Sequence, residues 1–315
     1  MKRLALAAIF MTLPAASALQ AQTAPTSAAP APVPAAPVAV PLPTTSVGVN
    51  LNITPKRLTF DKRGSATVYI FNQGTTAAMF DISVADRVMI PTGDIKAISE
   101  VENTPEGKLA IGKLHSAKTL VRAVPIRATL APGKGQTIRV RVEAPDSGAA
   151  EYRSHLTVTT LPPRDSGLTA EQAARQGPNE LSFRVQTVFG LSIPLIVRTG
   201  PVDARAQIEN VRLTYTDISP DGIAPPQRTP MLNLELVRSG TSSLFGNLEV
   251  KSATVSDKTP IGIARGVGVY TEIDRRSIRV PLRRAPKAGE QLNISFTDDD
   301  AKPGNVAARS TFTVG

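Results

Sequence analysis

The chain reads as an all-β protein: two tandem β-sandwiches behind an export signal and a Pro/Ala-rich leader. Three observations carry that reading. Apolar residues recur with a period of two rather than 3.6, the period at which side chains alternate across a strand. Turns bearing Gly or Pro punctuate the chain at intervals of about ten residues, the spacing of sandwich strands. The pattern then restarts after Arg198-Thr199-Gly200-Pro201, dividing the mature chain into 47–199 and 200–315.

Residues 1–21 have the layout of a signal peptide. Lys2 and Arg3 supply the positive start, residues 4–13 are apolar, and small residues precede cleavage after Ala18 or Ala21. The apolar run is too short to remain as a membrane anchor, and no stable membrane insertion is expected. Residues 22–46 form an uncharged Pro/Ala-rich leader, which favours extended polyproline conformations over a packed core. The mature protein is expected to be exported to the periplasm.

In 47–199 the strand signals fall at 65–72, 78–84, 126–130, 136–142 and 152–160. Ile138, Val140 and Val142 alternate there with Thr137, Arg139 and Arg141. Residues 164–180 read as a polar loop with room for one helical turn. The most informative element follows. Leu181, Phe183, Val185, Phe189, Leu191, Ile193, Leu195 and Val197 make one apolar face, broken only by Thr187. As a single strand, 181–198 would run about 60 Å at ~3.3 Å per residue, against a usual five or six residues. Such a strand either serves two sheets in turn or keeps part of its face for another chain. Beyond residue 200, seven further strand signals fall at 206–215, 231–239, 246–254, 262–269, 277–282, 291–298 and 307–314.

Charge and composition exclude several functions. The formal charge is +10, and the excess sits early: residues 47–200 hold 19 basic against 13 acidic residues, residues 201–315 hold 15 against 13. Aromatic content is 4% with no Trp, so stacking platforms are scarce and nucleic acid is not an expected partner. Affinity for anionic surfaces is the milder expectation. There is no Cys, and His115 and His155 are the only histidines. Neither G-x-S-x-G, H-E-x-x-H nor a Gly-rich phosphate loop occurs. No catalysis, cofactor or metal is expected, and His155 reads as structural. In 275–284, Ile278, Val280 and Leu282 should face inward with Arg279 and Arg283 outward, a solvated edge guarded by charge. Asp298-Asp299-Asp300 reads as an acidic turn, without the spaced ligands of a calcium loop.

Several strings in 47–200, in order, resemble the periplasmic chaperones of the chaperone–usher pilus pathway. They are Ile53-Thr54-Pro55-Lys56-Arg57-Leu58-Thr59-Phe60-Asp61, Leu130-Ala131-Pro132-Gly133 with Gln136-Thr137-Ile138-Arg139-Val140, and Glu151-Tyr152-Arg153-Ser154-His155-Leu156 running to Leu161-Pro162-Pro163. The long alternating strand closes the series. The resemblance implies two immunoglobulin-like domains and a last strand of domain one that is lent to an unfinished pilin-like subunit. Strand addition of this kind takes affinity from main-chain hydrogen bonds and specificity from alternate side chains. The implied donor residues are Val185, Phe189, Leu191, Ile193 and Leu195. The implied anchor for the subunit's terminal carboxylate is Arg57, whose planar fork suits a carboxylate. Pro194 stands where the family places a Lys, with Arg198 or Arg184 available as a second cation. Pro has no N–H to donate and favours an edge or a bulge. Expected partners are pilin-like subunits of a surface fibre, with an outer-membrane usher in doubt because of Pro194. The other reading is a structural or adhesive envelope module with the same fold.

Overall fold

The computed structural model describes residues 48–146, 148–161, 188–219, 221–254 and 259–315. The first half contains β1 (Leu51–Thr54), β2 (Leu58–Phe60), β3 (Arg63–Asn72), β4 (Ala78–Ala85), β5 (Arg87–Met89), β6 (Ile95–Ala97), α1 (Ile98–Val101), α2 (Pro105–Lys113), β7 (Val121–Val124), β8 (Arg127–Leu130), β9 (Gly135–Glu143), β10 (Glu151–Leu161) and β11 (Gly190–Arg198). The second half contains β12 (Ala204–Ile218), β13 (Gln227–Gly240), β14 (Leu244–Ser252), β15 (Gly262–Val269), β16 (Arg275–Pro281), β17 (Gln291–Asp298) and β18 (Val306–Thr313).

Two sandwiches result. In the first, a sheet ordered β1-β3-β9-β7 packs on a sheet ordered β2-β11-β10-β4-β8. In the second, β12-β13-β16 packs on β15-β14-β17-β18. The alternation read from the sequence is what closes each core. Val68, Ile70, Ile138 and Val140 face Phe80, Ile82, Leu156, Val158 and Leu195 across the first. Leu232, Leu236 and Val280 meet Leu248, Val250, Leu292 and Phe296 across the second. The turn at Ala131-Pro132-Gly133 holds as expected: Lys134 N–H donates to the Ala131 carbonyl, and Gly133 takes φ 66°, which L side chains rarely adopt. Ile278, Val280 and Leu282 are buried while Arg279 on edge strand β16 and Arg283 just beyond it are exposed, as expected.

One insertion breaks the sandwich pattern. Between β4 and β7 the chain forms the β5–β6 hairpin and the two helices, around a small cluster of Val88, Val101 and Ala110. Sequence periodicity pointed to almost no helix, and α2 corrects that. Its buried residues are only Gly107 and Ala110, so its apolar stripe is nearly silent. The start signal was nonetheless present: Thr104 caps, with its hydroxyl accepting from Gly107 N–H at 3.0 Å, and Pro105 opens the helix. A Cβ on Gly107 would lie 2.0 Å from the Val101 carbonyl oxygen, so only Gly lets α2 approach α1. Thr104→Ala should therefore cost about 1 kcal/mol of stability, readable as a lower midpoint in urea unfolding with an unchanged slope.

Candidate functional site: the open edge of β11 and the junction between the sandwiches

Among the described residues, the alternating face is strand only from Gly190 onward, where β11 begins. Leu181, Phe183 and Val185 lie outside the described residues, as does Arg184. At Phe189 the ladder with β10 ends in a side-chain bond. The Phe189 carbonyl still accepts from Thr160 N–H at 2.8 Å, but Phe189 N–H donates to Thr160 Oγ1, also at 2.8 Å. Nor does β11 serve two sheets; it stays in the sheet of β10.

Along β11 the apolar face runs out of its own core. Val197 and Leu195 are fully buried in the first sandwich and Ile193 is 2% exposed. Two of the expected donor residues, Ile193 and Leu195, thus pack the chain's own core. Leu191 is half-buried, and Phe189, which follows the same alternation, is 53% exposed beside Val188 at 54%.

The hydrogen-bonding edge opens over the same stretch. Phe189 C=O and Thr199 N–H both bond toward the β10 side, the latter to the Ala150 carbonyl at 3.0 Å. Backbone groups of alternate residues point to opposite edges of a strand, so those of Gly190, Ser192 and Pro194 face away from β10. β2 covers that far edge in parallel register only from Leu195 to Val197. Among the described residues, no strand pairs with β11 beside Gly190 and Ser192. Pro194 pairs in register with His155, and its missing N–H falls on the far edge, so it removes no bond to β10.

Below β11 the two sandwiches meet through buried charge. Arg57 and Arg198 converge on one carboxylate of the second sandwich, Asp300. Arg57 Nη2 donates to Oδ2 at 2.8 Å; Arg198 Nη2 donates to the same oxygen at 2.5 Å and its Nη1 to Oδ1 at 3.3 Å. Arg57 also lies 4.5 Å over the Phe245 ring. Burial would raise the Asp300 carboxyl, but the hydrogen bonds from Arg57 and Arg198 prevail and hold it down at about 2. Arg198 Nε donates to Glu151 at 3.2 Å, and Glu151 accepts from Ser243 N–H at 3.1 Å and from the Ser243 hydroxyl. Burial works against the Arg198 charge, yet Asp300 and Glu151 together push its pKa above the ordinary value.

A second ion pair lies alongside. Arg153, 1% exposed, donates to Glu272, to the Arg87 carbonyl at 2.7 Å, and stacks 4.4 Å from the Tyr270 ring. Desolvation lowers Arg153 to about 10, where it stays charged at neutral pH. His155 Nε2 lies 3.3 Å from Arg153 Nη1. Burial first, then the charges of Arg153 and Arg87, push the His155 ring down to about 2. A neutral ring wedged against two cations is a structural group, as expected of His155.

The sequence pointed to Arg57 as a cation for a subunit's terminal carboxylate; within the chain Arg57 meets Asp300, a partner the sequence did not suggest. Asp298 does build the expected acidic turn, accepting from Asp300 N–H and Lys302 N–H, each at 2.8 Å. Asp300 leaves that turn to join the sandwiches. Glu151, Arg153 and Glu272 were also missed. The available signal was Glu151, Arg153 and His155 at a period of two: a polar face on a strand that is buried on both sides. Among the described residues there is no group of three side chains able to hold a metal, and no helix long and apolar enough to cross a membrane.

No family model matches the chain, and no curated protein matches it. Solved structures do. The chain is similar to pilus-assembly chaperones. The E. coli chaperone DraB aligns over 86% of this chain and 98% of its own at 13% identity, with a TM-score of 0.36. The Pseudomonas aeruginosa chaperone CupB2 aligns over 84% and 100% at 12% identity, with a TM-score of 0.38. A chain in the structure of the Salmonella enterica SafA pilin in complex with the SafB chaperone aligns over 84% and 96% at 10% identity, with a TM-score of 0.37. The fold stands on the strand order given above, not on these likenesses.

Proposed function

We propose that the protein is a periplasmic chaperone for pilin-like subunits of a surface fibre, and that it holds them at the N-terminal half of β11. The observation that carries this reading is a coincidence of two features on one stretch. The hydrogen-bonding edge of β11 is open beside Gly190 and Ser192, and its apolar face outruns the chain's own core at Phe189, while Leu191 packs against that core with one side uncovered. A partner strand added there would satisfy the free backbone groups while its sheet covers the exposed apolar side chains. Val185, outside the described residues, continues the same alternation and extends the proposed donor face.

Arg57 and Arg198 make a two-cation seat for a carboxylate, and Asp300 fills it. The grip on a subunit is accordingly assigned to the edge and the apolar face rather than to a terminal carboxylate. The same filled seat favours the second reading, an envelope module that binds a surface component without delivering subunits.

Co-expression with candidate subunits from neighbouring genes, followed by affinity purification, tests the proposal. The parent should retain a subunit, and the double variant Phe189→Asp, Leu191→Asp should lose it. A loss of about 100-fold or more in affinity is expected when two buried anchors are replaced by charge. Phe189→Asp alone should leave the melting temperature unchanged, because Phe189 is largely solvent-facing. Undiminished capture by the double variant would falsify strand donation at β11.

A further inference from the structure

The basic excess of the first half has a location that subunit binding does not use. The outer face of the sheet β1-β3-β9-β7 carries Arg122, Arg139 and Arg141 within two strands. Arg122 lies directly opposite Arg141 in the β7–β9 register, and Arg139 lies opposite Val124. Like charges facing each other across a ladder destabilise it. All three are exposed, and no carboxylate among the described residues pairs with any of them. The nearest acid on this face, Glu143, lies 3.9 Å from Arg63. An open cleft of about 600 Å³ runs between Arg63, Arg122 and Arg141, with Glu143 as the one acid in its lining. Edge protection does not account for this arrangement. Of the two strands that carry the arginines only β7 is an edge; Arg139 and Arg141 sit one strand inward, where there is nothing to guard. Beside the arginines the chain exposes an apolar tip, Val124-Pro125-Ile126, with Val124 62% and Ile126 69% exposed.

We infer that this face docks the protein on an anionic phospholipid surface. Guanidinium groups suit phosphate oxygens, with which they form paired hydrogen bonds. Exposed Val and Ile beside them suit the boundary between headgroups and acyl chains. A soluble polyanion would engage the arginines but leave Val124 and Ile126 in water. The docking face belongs to the sheet that does not contain β11, so it is independent of the subunit-binding proposal.

The test is sedimentation of the purified mature protein with vesicles of phosphatidylcholine containing 30% phosphatidylglycerol, or of phosphatidylcholine alone, at low and high salt. Binding should require phosphatidylglycerol and weaken with salt. At ~1 kcal/mol per basic residue near such a surface, and tenfold per ~1.4 kcal/mol, the triple variant Arg122→Gln, Arg139→Gln, Arg141→Gln should partition about 100-fold less. The matching Arg→Lys triple should retain most of the binding. Val124→Ser with Ile126→Ser should weaken vesicle binding at constant charge. A charge-matched control, Arg279→Gln, Arg283→Gln, Arg309→Gln, should leave it intact. The Gln triple relieves repulsion and should melt no lower than the parent, which separates lost docking from lost folding. Three results would overturn the inference: no binding to phosphatidylglycerol vesicles at low salt, an equal loss in the control triple, or an apolar-tip variant that binds vesicles as well as the parent.

Discussion

Glu272→Ala should destabilise the protein by about 3–5 kcal/mol, the usual cost of leaving a buried charge without its partner. Arg153 is 1% exposed and stays protonated at neutral pH, so removal of Glu272 strands a cation between the sandwiches with no carboxylate hydrogen bond, only the Arg87 carbonyl, the His155 ring and the Tyr270 ring beside it. Ion pairs on the surface are worth far less, typically ~0–1 kcal/mol; Lys113–Asp274, both partners well exposed, belongs to that class. Urea unfolding of the single variant measures the cost. The double variant Arg153→Met, Glu272→Leu should recover most of it, because well-packed apolar replacements for a buried pair are often neutral or better. A double variant as unstable as the single would move the effect from charge to packing.

Acid should weaken the protein from about pH 6.5 downward, through His155 first, with the lowered carboxyls Asp300 and Glu290 adding to the loss below about pH 4. His155 has a folded-state pKa lowered from 6.5 to about 2 by burial and by the charges of Arg153 and Arg87. Its contribution is therefore complete above pH 6.5, where folded and unfolded chains are both neutral, and is lost as the pH falls, because only the unfolded chain takes up the proton. Asp300, lowered from 3.8 to about 2, adds a second loss. Its contribution is complete above about pH 4 and disappears as the pH falls through 2. Each group contributes a slope of up to ~1.4 kcal/mol per pH unit within its window. Unfolding free energies measured from pH 7.5 to pH 2.5 should show the upper limb flattened in His155→Gln, which keeps an acceptor for Arg153. The limb below pH 4 should flatten in Asp300→Asn. An unchanged upper limb in His155→Gln would assign the early loss to another group.

What the sequence made legible follows from how each feature is encoded. Alternation within one strand is local, so Ile138, Val140 and Val142 of β9, or Ile278 and Val280 of β16, announce their own burial. Helix α2 was hidden because the side chains it buries are too small to mark a stripe. The junction was hidden for a different reason: Arg57 meets Asp300 across 243 residues of chain, and no periodicity links them. The start of β11 at Gly190 was not legible in the alternation, because it is the Thr160 hydroxyl, not another ladder bond, that takes the Phe189 N–H.

The side chains of β11 are divided between two interiors. Ile193, Leu195 and Val197 fill the first sandwich, whereas Ile196, between them, belongs to the apolar cluster of the second. Met89, from the insertion, joins Ile196 there, and Ile95 packs against the same cluster. Neither sandwich can therefore melt without withdrawing side chains from the other, and the pair is bound to behave as one cooperative unit. Work done on the free end of β11 by anything that grasps it is felt along a strand seated in both halves. A grip at Phe189 is thus a grip on the whole molecule.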